Sequence, residues 1–99
     1  MTRAVRLREE ADQDVVAAAS WYEQQRQGLG HEFLDEMLAT FRIVAEQPLS
    51  FPTVHRGVRR ALMTRFPFGI YFRLEQSQVI VVLAVLHGSR DPHRWQSRK

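Results

Sequence analysis

The most constraining feature of this chain is an uninterrupted apolar run, Val79 to Leu86, that has no polar position. Successive side chains of a strand point to opposite faces, so such a strand must be covered on both sides. The run therefore predicts a central strand inside a layered core. A chain of 99 residues is long enough for one such core, and we expect a single domain over residues 1–99.

Two amphipathic helices are predicted before this run. Apolar residues recur at helical spacing in two stretches: Ala11, Val15, Ala18 and Tyr22, then Phe33, Met37, Phe41 and Val44. The first stretch predicts a helix from about Glu9 to about Gln25, and the second helix should stop before Pro48. Between them, Gly28 and Gly30 are reversal positions that tolerate positive φ. The pair forms an antiparallel hairpin whose apolar face must lie on another layer.

Three extended segments follow Pro52 and are separated by short polar or Pro/Gly breaks: Val58 to Phe66, Gly69 to Glu75 and Val79 to His87. They predict an antiparallel meander. A weak alternation in Arg3 to Leu7 predicts a short edge strand. We therefore predict an α+β fold, in which an N-terminal strand precedes an antiparallel helical hairpin packed on an antiparallel sheet of about four strands.

Charge is divided unequally between the two halves. Residues 51–99 carry nine cations against two acids, whereas residues 1–50 carry five against nine. Lys99 is the single lysine, and Arg holds phosphate or carboxylate through two parallel hydrogen bonds where Lys acts as a point charge. The basic half predicts an anionic partner.

Several classes of function are disfavoured by composition. The chain has no Cys, which rules out disulfides and thiolate metal sites, and its four His show no zinc-motif spacing. We expect neither a metal nor another cofactor. Met1 to Leu7 lacks the apolar run of a signal peptide, and no stretch approaches the roughly 20 apolar residues of a membrane span. A cytoplasmic protein without membrane contact is expected.

Several stretches, in this order, resemble the RelE/ParE superfamily of toxins from bacterial toxin–antitoxin pairs. They are Trp21-Tyr22, Gly28-Leu29-Gly30, Glu46-Gln47-Pro48, the block from Phe66 to Tyr71, and His87 to Pro92 with Trp95. The resemblance spans nearly the whole chain. It implies a toxin neutralised by a cognate acidic antitoxin, with which it forms a hetero-oligomer.

The resemblance leaves two activities open. ParE-like toxins bind DNA gyrase and block replication, whereas RelE-like toxins are metal-independent endoribonucleases that cut mRNA in the ribosome. Cleavage needs a general base, cations at the phosphate and an acid. RelE-like enzymes tend to use a Lys on the first meander strand and a Tyr or His near the C-terminus. Here that strand has Arg, a poor base, and no Lys.

If the chain is a nuclease, the catalytic candidates are His87, Arg65 and Arg90; the alternative role of His87 is to close its strand by hydrogen bonding. The candidates for binding the target or another anion are Arg59, Arg60, Arg65, Arg73, Arg90, Arg94 and Trp95. Alternation predicts that Arg59 and Arg65 share a strand face and that Arg73 and Arg90 converge with them. The alternative is that these arginines are exposed charges on a solvated face of the sheet, with no binding role.

The sparse acid–base set favours gyrase inhibition over ribosome-dependent mRNA cleavage. A third possibility is a degenerate toxin fold that binds only nucleic acid or its antitoxin. We expect the antitoxin to place acidic side chains near Arg59, Arg65 and Arg90.

Overall fold

The computed structural model describes residues 3–76, 78–88 and 96. Within them, two helices and five strands follow one another along the chain, with a single 3-10 turn at Pro48–Ser50. Their bounds are β1 Ala4–Leu7, α1 Glu9–Gln25, α2 Leu29–Glu46, β2 Thr53–His55, β3 Val58–Leu62, β4 Phe68–Glu75 and β5 Val79–His87. The bounds predicted for the first helix are confirmed, and α2 ends before Pro48 as predicted.

The strands form one sheet in the order β1-β5-β4-β3-β2. β1 lies at an edge, as predicted, and pairs in parallel with β5, whereas the other neighbours are antiparallel. The predicted α+β fold is confirmed, with five strands instead of about four and with one parallel pair. The helical hairpin between β1 and the meander supplies the long crossover that a parallel pair requires.

The two faces of this sheet carry separate apolar clusters. Phe33, Phe72 and Val82 belong to the larger cluster, which lies between the helices and what we call the helix face of the sheet. Val58, Tyr71, Val81, Leu83, Ala84 and Leu86 form the smaller cluster on the opposite side, the outer face. Because β5 contributes to both clusters, it is the strand covered on two faces that its apolar run predicts.

The connection between the helices is fixed by one carboxylate. Glu23 accepts hydrogen bonds from the backbone N–H groups of Gly28 and Gly30, at 2.9 and 3.0 Å. Gly28 has φ 88°, the left-handed conformation predicted for it. Gly30 does not share that conformation: it lies in the first turn of α2, where a Cβ atom would stand 2.5 Å from the carbonyl oxygen of Ala19. Close approach of the helices, not positive φ, explains this glycine.

β3 is shorter than the sequence predicts. It ends at Leu62 rather than Phe66: the N–H of Met63 still donates to the carbonyl oxygen of Phe68 at 2.9 Å, but the backbone donors after it turn away from the sheet. The Glu36 carboxylate accepts from the N–H of Thr64 at 2.6 Å and from that of Arg65 at 2.9 Å. The loop after β3 is thereby attached to α2.

Candidate functional site

The two arginines at the centre of β3 point to opposite faces of the sheet. Arg59 lies on the helix face, where its Nη1 donates to the carbonyl oxygen of Phe51 at 2.6 Å. Arg60 lies on the outer face, in register with Tyr71. Its Cγ and Cδ pass so close to Gly69 that a Cβ there would meet each at 3.4 Å. The stem of Arg60 therefore lies across the sheet surface.

Arg73 is the second arginine of the outer face, paired in register with Val81 of that cluster. Its Nη2 donates to Oε2 of Glu75 at 2.9 Å, and 27% of its side chain is exposed. Within the described part of the chain, the Nε atoms of Arg60 and Arg73 are buried and have no hydrogen-bond partner. Buried donors are almost always paired in folded proteins, so two unpaired donors on one face need an explanation.

Arg65 is held by the acidic side of α2. Its Nη2 donates to Oε1 of Glu32 at 2.8 Å, and its guanidinium carbon lies 5.2 Å from the ring centre of Phe66. The hydrogen bond from Arg65, followed by that from Arg26, lowers the pKa of Glu32. The predicted alignment of Arg65 with Arg59 on one strand face is wrong, because β3 ends before Arg65.

His87 ends β5 on the helix face. Val85 belongs to the helix-face cluster, and His87 lies two positions further along the strand. Its ring packs edge-on against Phe68, with 5.5 Å between ring centres. His87 therefore points away from Arg60 and Arg73, which lie on the outer face. The sheet itself separates the acid–base candidate from these two cations.

A cluster of aromatic rings lies between the regions of His87 and Arg65. Tyr22 contacts both Phe66 and Phe68, with ring centres 4.8 and 6.0 Å apart. Burial raises the pKa of the Tyr22 phenol, which keeps it protonated and makes it a poor base. Trp21 packs edge-on against Tyr22 and is 57% exposed. Among the described residues, no group of three or more His, Asp or Glu side chains is placed to hold a metal ion.

An apolar groove of about 410 Å³ runs between β1 and the helical hairpin. Its apolar lining is Val5, Leu7, Val15, Met37, Leu38, Phe41 and Ala45. Arg42, which is exposed, and Asp12 lie at its margin. Leu38 is 48% exposed, although its position beside the second apolar stripe would predict burial.

Neither described helix is long and apolar enough to span a bilayer.

The predicted convergence of Arg73 with Arg59 and Arg65 is wrong, because these three arginines lie in different places of the fold. Arg60 and Arg73 share the outer face, Arg59 lies on the helix face, and Arg65 lies in the loop after β3. Arg90, Arg94 and Trp95 lie outside the described residues and remain predictions. Sequence analysis missed Glu32, Glu36 and Glu75, which bind parts of this arginine set. Glu32 and Glu36 are far in sequence from Arg65, so no local pattern indicates their contact.

Comparisons with a family model and with solved structures both return proteins of toxin–antitoxin systems. A family model described as "ParE toxin of type II toxin-antitoxin system, parDE" matches residues 5–92. A solved chain from the chromosomal ParDE system of P. aeruginosa has a TM-score of 0.76 at 17% identity, covering 87% of this chain and 96% of that one. For the RelBE2 toxin–antitoxin complex from Mycobacterium tuberculosis the TM-score is 0.56 at 16% identity, covering 88% and 99%. At these identities the structural matches show a shared fold. No curated protein matches the sequence.

Proposed function

The chain belongs to the ParE toxin family of type II toxin–antitoxin systems, and from this premise we propose that it inhibits growth by binding DNA gyrase and blocking replication. In this proposal the toxin performs no covalent chemistry. It acts as a binding module that a cognate antitoxin neutralises.

The placement of His87 is the observation that carries this proposal. Cleavage of RNA by attack of a 2′-hydroxyl needs a base, an acid and cations around one phosphate. His87 lies on the helix face, whereas Arg60 and Arg73 lie on the outer face. Arg65 is bound by Glu32 at 2.8 Å. The arrangement therefore supports binding in preference to catalysis.

Ribosome-dependent mRNA cleavage is the second candidate. It is favoured by the location of His87 and Arg65 beside the same aromatic cluster, through Phe68 and Phe66 respectively. In that case the Arg65 guanidinium would leave Glu32 to hold the scissile phosphate, and His87 would transfer a proton. A fold that binds only nucleic acid or antitoxin is the remaining alternative.

The groove is the surface we propose for the antitoxin. Its apolar lining and its position between β1 and the hairpin suit an amphipathic helix laid into it. The exposed Arg42 at its margin favours an acidic residue on the flank of that helix. The acids expected near Arg59, Arg65 and Arg90 stay a prediction, and for Arg65 they would compete with Glu32.

The function is tested by inducing wild-type toxin and its His87→Ala variant in cells, with purified gyrase assayed in parallel. We expect inhibition of supercoiling, a DNA-damage response and unchanged mRNA 5′ ends, all preserved in His87→Ala. His31→Ala, at a 79% exposed His side chain on α2, is the matched control. New mRNA cuts that disappear in the His87→Ala, Arg65→Ala double variant would establish cleavage instead. Uncut RNA together with unaffected gyrase would reject both activities.

A further inference from the structure

We infer that the outer face of the sheet is the docking site of the chain's own C-terminal segment, residues 89–99, and that Trp95 anchors this segment there. The inference does not depend on which target the toxin binds. Apart from Gln96, the segment lies outside the described residues.

The outer face is buried although no described element lies over it. Tyr71 is 8% exposed, Leu86 6% and Val81 4%. All members of the outer-face cluster, including the half-buried Val54 and Val79, belong to strands of the sheet, whereas the helices pack on the opposite side. Side chains stand roughly perpendicular to a sheet, so their neighbours in the sheet shield their flanks but not their ends. A second layer must therefore cover this face.

The covering layer belongs to the same molecule. The exposed fractions are those of a single chain, so neither a second copy nor a partner accounts for them. The stem of Arg60 lies across Gly69 and shields part of the face. However, the Nε atoms of Arg60 and Arg73 are themselves buried, so the arginine stems are not the outermost layer.

The C-terminal segment is the part of the chain that can supply this layer. The other residues outside the described ranges, 1–2 and 77, are too few to cover a sheet. The N–H of Gly88 donates to the carbonyl oxygen of Pro67 at 2.7 Å, which holds the exit from β5 beside the start of β4. From β5 to β2 the sheet spans roughly 14 Å, and residues 89–99 would reach about 16 Å even as a helix. The segment is therefore long enough to cross the face.

The composition of the segment fits this role. Trp95 is its one large apolar side chain, and a tryptophan can bury about 150–250 Å² against such a surface. Gln96, directly after it, is helical and half-buried, as expected of a residue that lies against the sheet. Arg90 and Arg94 can lay their methylene groups on the sheet while their guanidinium groups stay in water. Docking would thus display both arginines on the outer face rather than at a free chain end.

Tryptophan fluorescence tests the anchor in the full-length toxin. Trp95 is the sole tryptophan of a Trp21→Phe variant; Trp21, which is 57% exposed, is the sole one of the matched Trp95→Phe control. Because a docked Trp95 is shielded from water, we expect iodide to quench it several-fold less than Trp21, and its emission to move to longer wavelength on unfolding in urea. Equal quenching of the two tryptophans would overturn the inference.

A spin label identifies the face to which the segment docks. The chain has no Cys, so Ser97→Cys accepts a nitroxide at one site. The helices lie behind the sheet as seen from the outer face, so this label should weaken the amide NMR signals of β3 and β4 more than those of α1 and α2. A label at Ile43→Cys, at a 55% exposed position of α2, is the control and should reverse that order. Equal or stronger weakening of the helix signals by the Ser97→Cys label would contradict docking on the outer face.

Thermal unfolding measures what the anchor contributes. We expect Trp95→Ala to lower the melting temperature by about 10 °C or more, as for truncation of a buried aromatic side chain in a small domain, and Trp21→Ala to lower it much less. Equal melting temperatures for the two variants would count against Trp95 as the anchor. None of these measurements involves gyrase, so a failure of the inference and a failure of the proposed function are distinct results.

Discussion

At the residue scale, carboxylates of the helical half satisfy backbone donors that regular secondary structure leaves unpaired. Glu23 binds two N–H groups at the hairpin turn, Glu36 binds two after β3, and Asp14 accepts from Val85 in β5 at 3.0 Å. N–H groups without a partner are costly where water cannot reach them. The Glu23 and Glu36 contacts fix places where the chain leaves a helix or strand, whereas Asp14 binds a donor within β5, next to the shift in its register with β4. The acidic first half is thus partly explained by the fold itself.

Gly30 provides a test at this scale. Gly30→Ala would place a Cβ 2.5 Å from the carbonyl oxygen of Ala19 and 3.1 Å from the Cβ of Glu23, so the helices must separate. We expect a loss of about 2–3 kcal/mol in unfolding free energy, as for overpacked sites. Gly28→Ala meets no atom within 4 Å and bears only the cost of φ 88°, about 1 kcal/mol. Urea unfolding measures both, and an equal loss would refute the close-approach explanation.

At the element scale, the stripes of both helices were predictable and the environment of each strand end was not. Ala11, Val15, Phe33 and Phe41 are buried as their spacing predicts, because helical periodicity is a local property. β2 was missed because its three residues are too few to show an alternation. The sequence predicts that Arg65 lies on the same strand face as Arg59 because the two-residue alternation through Ala61 and Met63 reaches it. β3 ends at Leu62, so this part of the alternation does not belong to a strand.

The groove is tested by Leu38→Asp. Leu38 is 48% exposed and lines the groove, so an aspartate there should spare the fold yet place a carboxylate, with Arg42 one helical turn away, against an apolar partner helix. We expect antitoxin affinity to fall about tenfold or more, because the partner would have to desolvate this polar group and lose its apolar contact with Leu38. Inhibition by the free toxin should persist.

Ile43→Asp is the matched control for this experiment. Ile43 is 55% exposed on the same helix but does not line the groove. We expect Ile43→Asp to bind the antitoxin with wild-type affinity. A calorimetric titration of the toxin with its antitoxin measures the affinity of both variants. Equal weakening by both substitutions would show that the charge on α2, and not the groove, determines binding.

At the scale of the whole molecule, the layers and the antiparallel meander followed from the sequence more readily than function did. The apolar run of β5 required cover on both faces, and the structure supplies it. The parallel pairing of β1 with β5 was not predictable, because strand direction leaves no mark in local periodicity. The candidate site was likewise predictable only in its local features. Strand alternation places Arg59 and Arg60 on opposite faces, but the contact of Glu32 with Arg65 exists only in the tertiary structure.

Ion pairing between the halves makes stability depend on pH. Arg65 of the basic half and Arg26 lower the pKa of Glu32 below its ordinary value of 4.5. A carboxylate with a lowered pKa in the folded state stabilises fully above its unfolded pKa, and this contribution disappears as the pH falls through the folded value. Glu32→Gln should therefore melt below the wild type at neutral pH and approach it at acid pH.

The control for this titration is Glu46→Gln, at an exposed position in the last turn of α2, where the side chain forms no ion pair with any described residue. Its melting curve should follow the wild type across the same pH series. Added salt should reduce the Glu32→Gln difference, because the pair is exposed and salt screens it. A difference between wild type and Glu32→Gln that stayed constant from neutral to acid pH would show that Glu32 acts through packing, and the electrostatic link between the two halves would be wrong.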